Sequence, residues 1–167
     1  MAATREVVAE HGAGVAIDVI LRKASLGRGT FYRHFQDRNA LFVALYDEAL
    51  DRLTAVGQDL PPEQRLVAII RAAAPMQKEV FPFASALNRT APEHVLREID
   101  RRFGQIIREP LSAAKRAGLV RPDLDADDII TLLTMIGGAS VFRPDADEPR
   151  HRGKALRFVL ESIVRHP

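Results

Sequence analysis

Apolar residues recur every three or four positions along most of the chain, and polar residues fill the positions between them. This spacing places the apolar side chains on one face of an α-helix, whereas a half-buried strand would alternate apolar and polar residues strictly. No stretch of strand length shows that alternation, and the β-branched residues are scattered among Ala, Leu, Arg and Glu. The pattern therefore predicts an all-α protein.

The front of the chain divides into three short helices and a longer fourth helix. Glycines end the first helix, a tight Ser25-Leu26-Gly27 connection separates the second from the third, and Asp37 is placed to cap the fourth. These helices are predicted over 2–11, 17–24, 28–35 and from Asp37 to about Val56.

Prolines and capping residues divide the remainder of the chain. Because proline lacks an N–H donor, we expect Pro75, Pro82 and Pro110 to kink or end the helices that contain them. Asp125 is placed to cap a very apolar helix. The predicted helices cover 62–80, 83–89, 93–117 with an interruption at Pro110, 126–141 and 151–165.

Residues 28–35 carry two kinds of side chain, which separate onto two faces when they are spaced 100° apart. Phe31 and Phe35 share the inner face, and Leu26 is expected to join them in a small core. The outer face presents forked or single hydrogen-bond donors, and Gly29 allows close approach by another backbone. Those donors are Arg28, Thr30, Tyr32, Arg33 and His34.

Such groups read base edges and grip phosphates, and two short helices joined by a tight turn are typical of a helix-turn-helix. Positions 19–36 hold four cations and no acid on a chain whose net charge is only +2. This local basic charge favours a polyanionic partner. An ordinary helical hairpin with a solvated basic face remains the alternative.

Composition narrows the other possibilities. The 167 residues are 47% hydrophobic, which is enough for a folded core, and no apolar run is long enough to span a membrane. The absence of cysteine removes disulfides, thiolate catalysis and thiolate metal ligands, and a cytoplasmic protein fits best. The triplet Asp123-x-Asp125-x-Asp127 lacks the later ligands of a calcium loop, and the five histidines show no metal-ligand spacing. No Gly-x-Ser-x-Gly, P-loop or dinucleotide-binding glycine pattern occurs, so we expect no metal, no cofactor and no enzymatic activity.

The stretch "GVAIDVILRKASLGRGTFYRHFQDRNALFVALYDEAL" resembles the DNA-binding region of the TetR family of bacterial transcriptional regulators. The segment "EPLSAAKRAGLVRPDLDADDIITLLTMIGGAS" resembles the C-terminal domain of one TetR subgroup. The residues of the first stretch that match the family pattern are Gly14, Val15, Ile20, Ala24, Arg28, Gly29, Thr30, Phe31, Tyr32, His34, Phe35, Arg38, Leu41 and Phe42.

The resemblance implies a homodimeric repressor that binds a palindromic double-stranded DNA operator and leaves it when a small-molecule effector binds. Residues 1–45 would form the helix-turn-helix domain, and 46–167 would form the helical domain for ligand binding and dimerisation. By carry-over of the motif, the base-facing residues are Arg28, Gly29, Thr30 and Arg33. The phosphate-binding residues are Tyr32, His34 and Arg38.

Three positions depart from the family pattern, and the chain begins inside the first helix of the family. Ala16 replaces a capping Ser or Thr, Leu21 replaces a small Ala, and Ser25 replaces the turn Gly, where a left-handed backbone would cost about 1–2 kcal/mol. Two hypotheses follow. Either the true start lies upstream, or this chain is a dimeric ligand-binding relative whose DNA binding is weak or lost.

The second half offers an interface and a pocket as further expectations. The helices over 126–141 and 151–165 are apolar enough to pair with the same helices of a second copy, and Gly137-Gly138 would permit close approach. A ligand site is expected between helices. Its candidate lining is Met76, Phe81, Phe83, Leu87, Phe103, Ile107, Met135 and Phe142.

Overall fold

The computed structural model describes residues 1–141 and 148–164, and these residues form eight α-helices. Within that part of the chain no strand forms, and Val120 and Val164 make one isolated bridge. The all-α prediction is confirmed. The helices are α1 (Ala2–His11), α2 (Ile17–Lys23), α3 (Arg28–His34), α4 (Arg38–Thr54), α5 (Pro62–Thr90), α6 (Glu93–Arg116), α7 (Ala126–Val141) and α8 (Glu148–Ile163).

The predicted breaks at the prolines are wrong. α5 continues through Pro75 and Pro82 for 29 residues, and α6 continues through Pro110. A proline inside a helix costs about 3 kcal/mol, but burying one large apolar side chain returns roughly 1.5–3 kcal/mol. α5 buries a continuous stripe of such side chains on both sides of Pro75, which outweighs the lost hydrogen bonds. The stripe comprises Leu66, Ile69, Ile70, Val80, Phe83 and Leu87.

The described chain divides into two compact units. The N-terminal unit contains residues 1–48 and 79–99, so α1 to α3 and the start of α4 are accompanied by the end of α5 and the start of α6. Its apolar core joins all of these helices, and the rings of Phe42 and Phe83 lie 5.3 Å apart between centroids. The helix-turn-helix segment is therefore packed on residues that lie far away in the sequence.

Polar contacts at the periphery of the same unit connect its helices. The guanidinium of Arg5 on α1 contacts Glu48 of α4 at 2.8 Å and also pairs with Glu79 of α5. Asn39 donates to the Thr90 carbonyl at 3.1 Å and accepts from the Thr90 hydroxyl at 2.8 Å. These contacts hold α1, α4 and α5 in one body.

The C-terminal unit contains the described residues of 49–78 and 100–167. α7 and α8 pack closely against each other, and the Arg121 N–H donates to the Ile163 carbonyl at 2.9 Å. Asp125 caps α7 as predicted, because its carboxylate accepts a hydrogen bond from the Asp128 N–H at 2.9 Å. In turn, the Asp128 carboxylate accepts from the Asp125 N–H at 2.8 Å. In the described residues no helix is both long and apolar enough to cross a membrane.

Candidate nucleic-acid interface

The turn between α2 and α3 is closed by two backbone hydrogen bonds. The Ser25 N–H donates to the Arg22 carbonyl at 3.1 Å, and the Leu26 N–H donates to the Leu21 carbonyl at 2.9 Å. This pair of bonds defines a Schellman helix end, whose first residue beyond the cap adopts the left-handed conformation. Ser25 does so with φ of 54°. The backbone cost predicted at Ser25 is therefore present, but α3 is still held at a defined exit from α2.

Aromatic residues anchor α3 in the core of the N-terminal unit. Phe31 is buried and its ring lies 5.4 Å from the half-buried ring of Phe35 and 5.1 Å from that of Tyr32. The expectation that Leu26 joins this core is wrong, since 48% of its surface stays exposed. The turn points Leu26 outward, and Ile20 and Leu21 of α2 supply the apolar contact instead.

The opposite side of α3 is open to solvent. Tyr32 is 54% exposed, Arg33 and His34 are exposed, and Thr30 is half-buried. A Cβ built at Gly27 or Gly29 would meet no atom within 4 Å. Neither glycine has a positive φ, so no contact inside the protein requires them. They leave free space on the face that the sequence predicts to approach DNA.

Arg28 is exposed, but it is not isolated. Its Nε donates to Asp18 Oδ1 at 2.8 Å, and its Nη2 donates to Asp18 Oδ2, so the guanidinium grips the carboxylate with two bonds. The hydrogen bond from Arg28 lowers the pKa of Asp18 below its usual value, and the carboxylate raises the pKa of Arg28. This pair joins the first turn of α2 to the first turn of α3.

Arg38 turns toward the protein. Its Nη2 donates to the carbonyls of Ala13 and Val15, and its Nη1 lies 3.5 Å from the Gly14 carbonyl. The guanidinium carbon also lies 5.1 Å from the centre of the Phe42 ring, which is a cation–π distance. Partial burial lowers the pKa of Arg38 from its usual value. Arg38 thus fastens the loop between α1 and α2 to the start of α4.

Sequence reasoning missed the acids that neutralise the basic stretch. Asp18 pairs with Arg28, and Glu6 of α1 contacts Lys23 at 2.9 Å, although both acids lie outside the acid-free segment 19–36. No periodic signal marks a pair ten or seventeen residues apart. Only the packing of α1, α2 and α3 brings these groups together.

The candidate pocket residues that the structure describes are divided between the two units. Phe83 and Leu87 are buried in the core of the N-terminal unit. Phe81 lies in the same unit but not in that core. In the C-terminal unit Phe103 and Ile107 are buried and Met76 is half-buried, but Met135 is 62% exposed on α7. Phe142 lies outside the described residues.

Two cavities of the C-terminal unit have a different lining. One, of about 400 Å³, lies along α5 and α8 beside Arg71, Leu156 and Leu160. The other, of about 430 Å³, lies beside α4, α5 and α6 and is more polar, with Arg65, Gln105 and Glu109 in its wall. None of the seven candidates that the structure describes lines either of these two cavities.

Two family models match the chain. Residues 1–45 match the bacterial regulatory proteins of the tetR family, and residues 61–161 match the C-terminal domain of regulators like the transcriptional regulator SbtR. A comparison with curated proteins gives no match.

Solved structures agree over nearly the whole chain. The TetR transcriptional regulator SCO0520 from Streptomyces coelicolor is 25% identical, with 99% of this chain and 97% of that one covered and a TM-score of 0.60. A TetR regulatory protein from Mycobacterium vanbaalenii is also 25% identical, with 98% and 92% covered and a TM-score of 0.61. Escherichia coli NemR in its reduced form, 18% identical with 98% and 94% covered, shares the fold at a TM-score of 0.66. The chain belongs to the TetR family, whose members are DNA-binding transcriptional regulators and not enzymes.

Proposed function

We propose that this regulator is a repressor that binds a palindromic operator as a homodimer and is released by a small molecule. The observation that carries the DNA-binding part is the outward face of α3. Polar side chains and two unfilled glycine positions occupy this face, while Phe31 anchors the other side in the core. A short helix that is anchored in the core on one side can enter a major groove with its exposed side and keep its own packing.

Residues 1–45 are the proposed DNA-binding domain, with six contact residues on or beside α3. Arg28, Gly29, Thr30 and Arg33 are proposed to face bases, and Tyr32 and His34 to contact phosphates. Arg38 was assigned to phosphate by the family pattern, but its guanidinium donates to carbonyls of the loop between α1 and α2. We therefore propose that Arg38 acts on DNA indirectly, by holding that loop.

Residues 46–167 are proposed to dimerise through α7 and α8. Met135 on α7 and Phe158 on α8 expose 62% and 59% of their surface, which is unusual for large apolar side chains on closely paired helices. A Cβ at Gly138 would meet nothing within 4 Å, so a helix of a second copy could approach there. Sedimentation of the full chain at micromolar concentration should give twice the mass of one chain.

The effector is proposed to bind within the C-terminal unit. Both described cavities of this unit are large enough for a small molecule, and the one along α5 and α8 combines apolar walls with Arg71. Of the candidates from the sequence, Met76, Phe103, Ile107 and Met135 lie in this unit, and the first three are at least half-buried. A compound that raises the melting temperature and also releases bound DNA would identify the effector class.

A relative with weak DNA binding is the second candidate. Ala16 supplies no side-chain cap to α2, and Ser25 carries the left-handed φ of 54°. Both features weaken the helix-turn-helix. Against this candidate, Leu21 is fully accommodated in the core, and both bonds of the helix end are intact.

One binding experiment separates the two candidates. The full chain is titrated against a fluorescent duplex of its own upstream region and against coding DNA of equal length, at low and at moderate salt. A repressor should prefer the upstream duplex by at least tenfold, and the preference should persist as salt rises. Equal, weak and strongly salt-dependent binding to both duplexes would favour the second candidate.

A further inference from the structure

The carboxylate of Asp18 occupies one of the two hydrogen-bonding edges that the Arg28 guanidinium offers. Nε–H and one Nη2–H point to the same side of the guanidinium, and both donate to Asp18. The end of the group, with Nη1 and the second Nη2–H, is left for another acceptor pair. We propose that Asp18 is a specificity-determining positioning residue, which holds Arg28 so that this remaining edge reads a guanine.

The chemistry of the free edge selects the base. Guanine presents two acceptors, O6 and N7, side by side in the major groove, and the end of a guanidinium matches them with two parallel hydrogen bonds. Adenine offers a donor beside its N7, and thymine offers a single acceptor beside a methyl group. An arginine fixed in one orientation therefore discriminates better than one that can turn to a phosphate.

The position of the pair supports this assignment. Asp18 lies in the first turn of α2 and Arg28 in the first turn of α3, and both side chains are substantially exposed beside the open positions of Gly27 and Gly29. An unpartnered arginine at this place would lose rotational freedom on binding. Asp18 imposes that order in the free protein, before DNA arrives.

The same carboxylate carries a negative charge toward a polyanion, so its removal has two opposite effects. Asp18→Asn should strengthen binding to DNA of arbitrary sequence, because repulsion from phosphates disappears. It should weaken the preference for guanine, because Arg28 is no longer held. If Asp18 only masked the charge of Arg28, affinity would rise and the preference would stay unchanged.

The proposal rests on the proposed DNA binding and is tested with the full chain and a randomised duplex library. Selection with the wild type and with Arg28→Ala identifies the guanine whose preference depends on Arg28. The enriched duplex is then prepared with guanine or with 7-deazaguanine at that position, which removes the N7 acceptor. Affinities for both duplexes are measured for the wild type, Asp18→Asn and Glu6→Gln.

The matched control is Glu6→Gln, which removes the same charge and breaks the ion pair with Lys23 without touching Arg28. We expect 7-deazaguanine to weaken the wild type and Glu6→Gln about tenfold, in line with the discrimination of a two-bond base contact. Asp18→Asn should lose about threefold or less, with unchanged circular dichroism and equal or stronger binding to random duplex.

Three outcomes overturn the proposal. Asp18→Asn keeps the full tenfold discrimination, Glu6→Gln loses discrimination as Asp18→Asn does, or no enriched guanine depends on Arg28. In each case DNA binding itself stands. If the wild type enriches no sequence and binds no duplex at low salt, the proposed function fails together with the inference.

Discussion

Ser25 and Gly118 occupy the same position in two equivalent helix ends. At the end of α6 the Gly118 N–H donates to the Lys115 carbonyl and the Leu119 N–H to the Ala114 carbonyl, both at 3.0 Å, as Ser25 and Leu26 do after α2. Ser25 has a φ of 54° and Gly118 a φ of 69°. Of these two helix ends, the one after α6 has the preferred glycine and the one after α2 does not.

Replacing Ser25 by glycine should stabilise the protein. The left-handed backbone costs a non-glycine residue about 1–2 kcal/mol, and the greater freedom of glycine in the unfolded chain offsets part of the gain. We expect Ser25→Gly to raise the free energy of unfolding by about 0.5–1 kcal/mol in urea titrations. Gly118→Ser should lower it by a similar amount, and Ser25→Ala should give no gain. Stabilisation by alanine would show that the backbone conformation is not the cause.

Restoring the cap of α2 should also stabilise the N-terminal unit. Ala16 has the extended backbone of an N-cap, with φ of −62° and ψ of 142°, but no side chain that can accept a hydrogen bond. Ala16→Ser should add about 1 kcal/mol to the free energy of unfolding. The control is Gly27→Ser at the uncapped start of α3, where only a few tenths of a kcal/mol are expected because glycine is already a fair N-cap.

Arg38→Ala should destabilise the protein even without DNA. The guanidinium donates to two carbonyls and stacks near Phe42, and loss of charged hydrogen bonds of this kind costs about 2 kcal/mol. Thermal unfolding of the free protein measures this loss. The slope of DNA affinity against salt concentration should stay unchanged, since no phosphate contact is removed. If stability is unchanged and the slope becomes flatter, Arg38 contacts a DNA phosphate directly.

Arg33→Ala should show the opposite behaviour. Arg33 is exposed, and no hydrogen bond or ion pair joins it to the part of the chain that the structure describes. The melting temperature should therefore stay unchanged, while operator affinity falls by about tenfold or more and base preference relaxes at one position. Equal loss of affinity for every sequence would place Arg33 on a phosphate instead.

Two aspartates of the C-terminal unit should respond oppositely to pH. Partial burial and the charge of Asp127 raise the pKa of Asp100, so the folded state holds its proton more tightly and loses stability as pH rises through that value. Asp100→Asn should raise the melting temperature at pH 7, on the order of 1 °C, and have no effect near pH 3.

Arg121 lowers the pKa of Asp123, so Asp123→Asn should lower the melting temperature at pH 7.

Helices were predictable where local and tertiary preferences agree. α1 and α7 lie where the apolar period and the capping residues place them, and Asp37 caps α4 through a bond of 2.8 Å to the Ala40 N–H. The rule that proline ends a helix failed in α5 and α6, because the buried stripe continues past each proline. A local signal cannot weigh its cost against burial that other helices provide.

The two faces of α3 follow from the sequence alone, since side-chain direction on a short helix depends only on spacing. Residues 14–42 alone predict that Phe31 is buried and that Tyr32 and Arg33 are exposed. They also indicate the family. The partners of the arginines were not available. Asp18 and Arg28 are ten residues apart, and Arg38 reaches carbonyls more than twenty residues away.

Contacts of that kind depend on the angle at the Ser25 turn and on the packing of α4 against the first helices, which no spacing rule contains. For the same reason Phe83 and Leu87, which read as candidates for a ligand pocket, belong to the core beneath the helix-turn-helix. Spacing along the chain is enough to say which side chains this surface carries. Which of them are bound by other parts of the protein, and which stay exposed to solvent, depends on how the helices pack.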